Sequence, residues 1–235
     1  GTSKHDVSNQ VNSGSSEKTL TVNGDTAPTL AKSNFYGASF EFDGSGDFLE
    51  TPNNTDFQFG TDDWTIEFWW NGSASGSFTS MITTLITSNE AGTWRVGTRW
   101  NSNNYVYFAR GTGSGFTDVR FDVNVNDGKW HHVAMVRSSG TIIPFVDGVN
   151  RTADLIGGSV SDSNSMTTTN PVKIGYNKRD DVYITGCLSD LRVYKGVAKY
   201  TENFIPAATN PDIVPDTPSG VAYDSVTETN NGSVS

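Results

Sequence analysis

The segment Trp64-Thr65-Ile66-Glu67-Phe68-Trp69-Trp70 places large apolar side chains at every second position. Successive side chains of a strand point to opposite faces, so Trp64, Ile66, Phe68 and Trp70 share one face and Thr65, Glu67 and Trp69 the other. A face built of three aromatics and an isoleucine has to be covered by a second layer. The same period recurs in 119–125, through Phe121 and Val123, and in 130–137. Helix formers gather nowhere into a 3.6-residue stripe. The pattern predicts an all-β chain, a two-sheet antiparallel jelly-roll sandwich with no helix beyond a turn near 197–200.

Turn signals recur about every ten residues, as expected of such a fold. Asn71-Gly72 ends the first strand, and 72–80 reads as an exposed loop. Segments 94–96 and 105–109 read as a hairpin pair, Asp127-Gly128 precedes the 130–137 strand, and Asp147-Gly148 follows the next one. Pro144 has no amide to donate, which places its strand at an edge or on a bulge. Segments 172–176 and 187–194 complete the set. Residues 1–19 form a polar lead-in and 20–209 the domain. Residues 210–235 form a proline-spaced linker in which Asn231-Gly232-Ser233-Val234-Ser235 echoes Tyr36-Gly37-Ala38-Ser39-Phe40, as at the start of a following repeat.

A net charge of −10 argues against nucleic acid or an anionic membrane as a direct partner, since both require clustered Lys and Arg. No apolar run approaches the roughly 20 residues of a membrane span. No signal peptide is visible, and Gly1 at the start fits a processed chain or a fragment. The single cysteine, Cys187, cannot form an intrachain disulfide and reads as a small buried thiol.

Five ordered motifs give the chain a family resemblance: Ser39-Phe40-Glu41-Phe42-Asp43-Gly44-Ser45-Gly46-Asp47, the 64–70 strand, Gly128-Lys129-Trp130-His131-His132-Val133-Ala134, Phe145-Val146-Asp147-Gly148, and Gly186-Cys187-Leu188-Ser189-Asp190-Leu191-Arg192-Val193-Tyr194. In this order they resemble the laminin-G-like, concanavalin A-like jelly-roll family over about residues 20–206. The ending Lys195-Gly196-Val197-Ala198-Lys199-Tyr200-Thr201-Glu202-Asn203-Phe204 is similar to modules repeated in bacteriophage virion and tail proteins. That resemblance implies a non-catalytic structural or adhesion module of a virion. Its partners would be other virion proteins or copies of itself, and it would attach to a host-surface glycan. The other readings are a free carbohydrate-binding lectin and a polysaccharide-active enzyme.

Glycosidases of this architecture need two carboxylates flanking the scissile bond. Glu41-Phe42-Asp43 is followed by Gly44-Ser45, so the third acid of the alternation is missing, and Glu67 has only Thr65 and Trp69 beside it on its strand face. His131 and His132 are adjacent on a strand and point apart, so they cannot share a metal. Calcium is the implied cofactor. The resemblance places one structural Ca2+ where the Asp43 turn meets the last strand, on Asp43 and Asp190, and the glycine-rich turn itself adds Asp47. The alternative is that Asp43 caps its own turn through backbone amides. For a glycan, Trp100 offers a stacking plane, with Arg99, Asn101 and Tyr105 beside it and Asn177 and Arg179 in a second polar loop. The opposing reading is that Trp94 and Tyr107 simply fill the sandwich.

Overall fold

A computed structural model describes residues 15–206, apart from 33, 35–37, 74–77, 86–89 and 100–103. Its strands are β1 (Thr21–Asn23), β2 (Ala27–Thr29), β3 (Ser39–Asp43), β4 (Phe48–Thr51), β5 (Trp64–Gly72) and β6 (Phe78–Thr83). Then follow β7 (Trp94–Arg99), β8 (Tyr105–Gly111), β9 (Phe116–Phe121), β10 (His131–Ser138), β11 (Thr141–Val146) and β12 (Val149–Asn150). The last are β13 (Leu155–Gly157), β14 (Val172–Ile174), β15 (Tyr176–Asn177), β16 (Val182–Tyr183) and β17 (Thr185–Lys195). An eight-stranded sheet runs β1-β4-β14-β6-β7-β8-β9-β13, a seven-stranded sheet runs β12-β11-β10-β5-β17-β3-β2, and β15 and β16 form a small hairpin. Every ladder is antiparallel. The jelly-roll sandwich read from the alternation is the fold. The 197–200 segment is not a helical turn; short 3-10 turns occur instead at Thr55–Phe57 and Thr152–Asp154. The linker expected over 210–235 lies outside the described residues.

The alternation of 64–70 is realised as written. Trp64, Ile66, Phe68 and Trp70 are buried between the sheets and meet Trp94, Val96, Val106, Phe108, Val119 and Phe121 from the other layer. Ring centroids of Trp64 and Phe108 lie 5.1 Å apart, and Phe59 sits 5.6 Å from Trp64 and 5.1 Å from Trp94. Each such side chain contributes about 1.5–3 kcal/mol on burial. Arg137 closes one end of this core, donating from Nε to Asp62 O (2.8 Å), from Nη1 to Asn164 O (2.9 Å) and from Nη2 to Gly60 O (2.9 Å). Pro144 is not on an edge strand or a bulge: β11 lies between β10 and the two-residue border strand β12, and the Pro144 carbonyl accepts from Arg151 N (2.9 Å), so its missing amide faces the border side just beyond the β12 pairing.

The outer face of the seven-stranded sheet is also covered. Residues 196–206 run back across it as a strap, packing Ala198, Tyr200 and Phe204 on Ala134, Val136 and Phe145. Two polar anchors hold the strap. The Thr65 hydroxyl donates to Val197 O (2.9 Å) and accepts from Lys199 N (2.9 Å). The Lys199 ammonium donates to Glu67 Oε1 (2.7 Å) and to the Tyr194 hydroxyl (2.6 Å), which itself donates to Glu67 Oε1 (3.0 Å). Burial pushes the Glu67 carboxyl up, but the approach of His132 and the Lys199 charge outweigh it and hold the group well below the usual carboxylate range.

A paired charge this deeply buried is costly to break from one side only. Lys199→Met should cost about 3–5 kcal/mol in urea unfolding, with an unchanged m-value, and the double replacement Glu67→Leu, Lys199→Met should recover most of that loss. A neutral Lys199→Met would show that the strap is not held by this pair.

Candidate functional site

The outer face of the eight-stranded sheet carries a row of arginines and aromatic rings. The alternation that buries Trp94, Val96, Val106 and Phe108 turns Arg95, Gly97 and Arg99 of β7 and Tyr105 and Tyr107 of β8 outward. Phe78 of β6 and Phe116, Asp118 and Arg120 of β9 extend the face on either side. Gly97 is required at its place, because a Cβ there would lie 1.9 Å from the Thr79 carbonyl, where β6 bulges.

Each guanidinium lies against a ring. Arg99 is centred 4.3 Å from the Phe78 centroid, and Arg95 lies 5.3 Å from Phe78, 5.2 Å from Tyr107 and 5.6 Å from Phe116. Arg179, from the β15–β16 loop, lies 4.2 Å from Phe116. Arg99 Nη1 donates to the Tyr105 hydroxyl (3.0 Å), and the Tyr107 hydroxyl donates to Thr79 O (3.0 Å). Such contacts contribute from about 0.5–1 kcal/mol when exposed to about 2 when desolvated. Arg95 is the unusual member. It is 1% exposed and pairs with Asp180 through Nη1 (3.2 Å), while Nε and Nη2 have no hydrogen-bond partner among the described residues.

The residues singled out from sequence divide accordingly. Arg99, Tyr105, Asn177 and Arg179 converge on this face from three separate stretches of chain. Asn177 is fully buried and is a positioning residue, donating from Nδ2 to Phe78 O (2.9 Å) and Asp180 Oδ2 (2.7 Å). Trp100 and Asn101 lie outside the described residues. Trp94 fills the sandwich as read, whereas Tyr107 is buried on the outer face against Phe78 and Arg95. Arg95, Phe78, Tyr107, Phe116, Arg120 and Asp180 were missed. The period-two spacing of Arg95-x-Gly97-x-Arg99 facing Tyr105-x-Tyr107 was the signal that could have found Arg95 and Tyr107.

The acidic turn is arranged differently from expectation. Asp47 is buried and anchors backbone, accepting at Oδ1 from Asp25 N (2.8 Å) and Thr26 N (2.9 Å) and at Oδ2 from Asp43 N (3.0 Å). Asp43 caps its own turn, accepting from Ser45 N (2.7 Å). Asp25 joins them, with one carboxylate oxygen of each of the three within 4.8 Å of the others. The Asp47 hydrogen bond and charge, then the Asp43 charge, push the Asp25 carboxyl above its ordinary value. Three carboxylate oxygens this close together are hard oxygen donors of the type calcium takes.

Asp190 does not belong to this group. Thr185 stands opposite Asp43 in the β3–β17 ladder, so Asp190 lies five residues further along, about 17 Å away at strand rise. It occupies a bulge between Ser189 and Arg192, with φ 52°, and accepts from Arg192 Nε (2.9 Å). Burial pushes its carboxyl up in spite of that arginine.

His131 and His132 both hold carboxylates from neighbouring elements. His131 bridges two carboxylates, Nδ1 to Asp147 Oδ2 (2.8 Å) and Nε2 to Asp127 Oδ1 (3.0 Å). His132 points the other way, to Glu67 Oε2 at 3.6 Å, beneath the Tyr200 and Phe204 rings. Cys187 is buried as read, and burial pushes its thiol up. Among the described residues there is also a polar groove of about 520 Å³ lined by Asn53, Gln58, Glu90 and the 167–170 segment.

The sequence model of the concanavalin A-like lectin/glucanases superfamily, Laminin_G_3, matches residues 43–202. No match is found among curated protein sequences. Among solved structures the chain is similar to domain 4 of AbnA, a GH43 extracellular arabinanase from Geobacillus stearothermophilus, in complex with arabinotriose. That likeness has a TM-score of 0.57 and 17% identity, over 77% of this chain and 82% of that one. It is also similar to the binding domain of botulinum neurotoxin DC in complex with rat synaptotagmin II, with a TM-score of 0.54 and 16% identity, over 76% of this chain and 43% of that one. The binding domain of Paraclostridial Mosquitocidal Protein 1 gives 0.55 and 12%, over 76% and 44%. The chain therefore spans less than half the length of these toxin domains. At such identities the likeness is one of fold.

The bridge at His131 has a pH consequence. The Asp147 hydrogen bond, opposed by burial and helped by Asp127, raises the His131 pKa above its ordinary value. A raised histidine contributes stability fully below about pH 6.5 and loses it as pH rises through the folded value. Denaturant midpoints should therefore fall with rising pH above about 6.5 in the native chain, and His131→Gln should flatten that part of the profile. Parallel profiles for the two proteins would rule the bridge out as the cause.

Proposed function

Because the chain belongs to the concanavalin A-like lectin/glucanases superfamily, we propose that it is a non-catalytic recognition module that binds glycans through the outer face of its eight-stranded sheet. The observation that carries this reading is the row Arg99–Phe78–Arg95–Phe116–Arg179, in which rings and guanidinium groups alternate at 4.2–5.6 Å. Aromatic planes pack against the apolar faces of sugar rings, while fixed donors select hydroxyl positions. The fold likeness to an arabinanase domain that holds arabinotriose lends support. Against catalysis stands the state of Glu67, sealed under the strap and neutralised by Lys199.

The setting we propose is a bacteriophage particle, supported by the similarity of residues 195–204 to virion and tail modules. Many copies on one particle turn weak single-site binding into firm attachment. Tryptic peptides of this chain in purified particles would support that setting, and their absence would count against it.

A multimerised form of the chain should bind a subset of a glycan array, and Phe116→Ala should weaken binding about tenfold, equivalent to about 1.4 kcal/mol, without changing thermal stability by more than a few degrees. Binding unaltered by Phe116→Ala and by Phe78→Ala would move the site elsewhere.

The structural calcium is proposed on Asp25, Asp43 and Asp47. Calcium should raise the melting temperature over chelator in the native chain by mass action, and Asp25→Asn with Asp43→Asn should remove the rise. No rise in the native chain would leave these residues as turn anchors alone.

A further inference from the structure

We infer that the arginine–aromatic face selects anionic oligosaccharides, those whose sugar rings carry carboxylate or sulfate groups; this rests on the glycan-binding reading of the same face. Four guanidinium groups stand on it, Arg95, Arg99, Arg120 and Arg179, against two carboxylates, Asp118 and Asp180. Arg120 is paired with Asp118, and Asp180 is shared between Arg95 (3.2 Å) and Arg179 (3.8 Å). In the adjoining loop Lys178 and Asp181 balance one another. The face is thus net positive by two charges on a chain whose net charge is −10. A neutral sugar gives no reason to hold such a concentration of guanidinium in an acidic protein.

The state of Arg95 points the same way. A side chain 1% exposed with unpartnered Nε and Nη2 keeps donors unpaid by protein acceptors. Arg99 Nε is a third such donor on the row. Arg99 and Arg179, which are only partly buried, present the guanidinium fork that matches a carboxylate or sulfate oxygen pair, while the buried Arg95 adds its charge beneath them; an oxyanion makes shorter and stronger hydrogen bonds with such a fork than a hydroxyl does. The row is extended across strands rather than gathered into one pocket. It suits several consecutive sugars whose charges repeat, with Phe78 and Phe116 as the planes between them. A long polyanion such as a nucleic acid is less suited, because where it runs past this face it comes within the roughly 8 Å screening length of the acidic remainder of a chain of net charge −10.

The test is calorimetric titration of the full chain with three matched probes: an oligogalacturonate, the same oligosaccharide with its carboxylates reduced to alcohols, and a sulfated oligosaccharide of equal length. The uronate, the sulfated probe or both should bind at least tenfold more tightly than the reduced one. Arg99→Gln with Arg179→Gln should abolish the difference while leaving the melting temperature near that of the native chain. Preference for the sulfated probe alone would make sulfate the source of the oxyanion and support the inference. Equal binding of charged and reduced probes would overturn it while leaving glycan recognition intact, and binding of none would count against both. A polyglutamate peptide bound as tightly as the sugars would overturn it too, since charge alone would then suffice.

Discussion

A sheet with apolar groups on both faces has to be covered twice, and the two sheets of this protein meet that constraint differently. Strand β5 turns Trp64, Ile66, Phe68 and Trp70 into the sandwich and Thr65, Glu67 and Trp69 away from it. The outward set is covered by the 196–206 strap, tied down at Thr65 and Glu67. The eight-stranded sheet has no comparable strap among the described residues. Its outer rings, Tyr105 and Tyr107 among them, are covered by arginines from neighbouring strands and by the β15–β16 loop. One face is closed by chain, the other by side chains.

This asymmetry sorts the charged groups by what they can do. Glu67, His132, Tyr194 and Lys199 form a compact polar cluster with titratable members, yet they lie under the strap and their bonds are spent on holding it. Arg99, Arg120 and Arg179 are only partly buried and stand over rings. Asp47 falls on the structural side, since its oxygens organise three backbone amides.

Much of the fold was legible because alternation of period two is a local property. The 64–70 strand, the β7–β8 hairpin and the turn at Asp147-Gly148 all follow from residues a few positions apart. What alternation does not give is which face is inside. Trp94 and Tyr107 look alike in sequence, and their opposite placement is decided by which of their faces meets the other sheet. A bulge resets the pattern as well. The extra residue between Ser189 and Arg192 sets Asp190 into a left-handed conformation beside Arg192, a change that single-strand spacing cannot reveal. Asp25 joined the acidic turn through the β1–β2 connection, across 18 residues of sequence from Asp43, and so left no local trace.

The central claim is that recognition occurs on the outer face of the eight-stranded sheet, and backbone amide exchange with and without a bound oligosaccharide tests it most directly. Protection should concentrate on β6, β7, β8, β9 and residues 176–183, with the strap and the Asp43 turn unchanged. Protection centred on the strap, on the acidic turn or on the groove around Asn53 and Asn170 would contradict it.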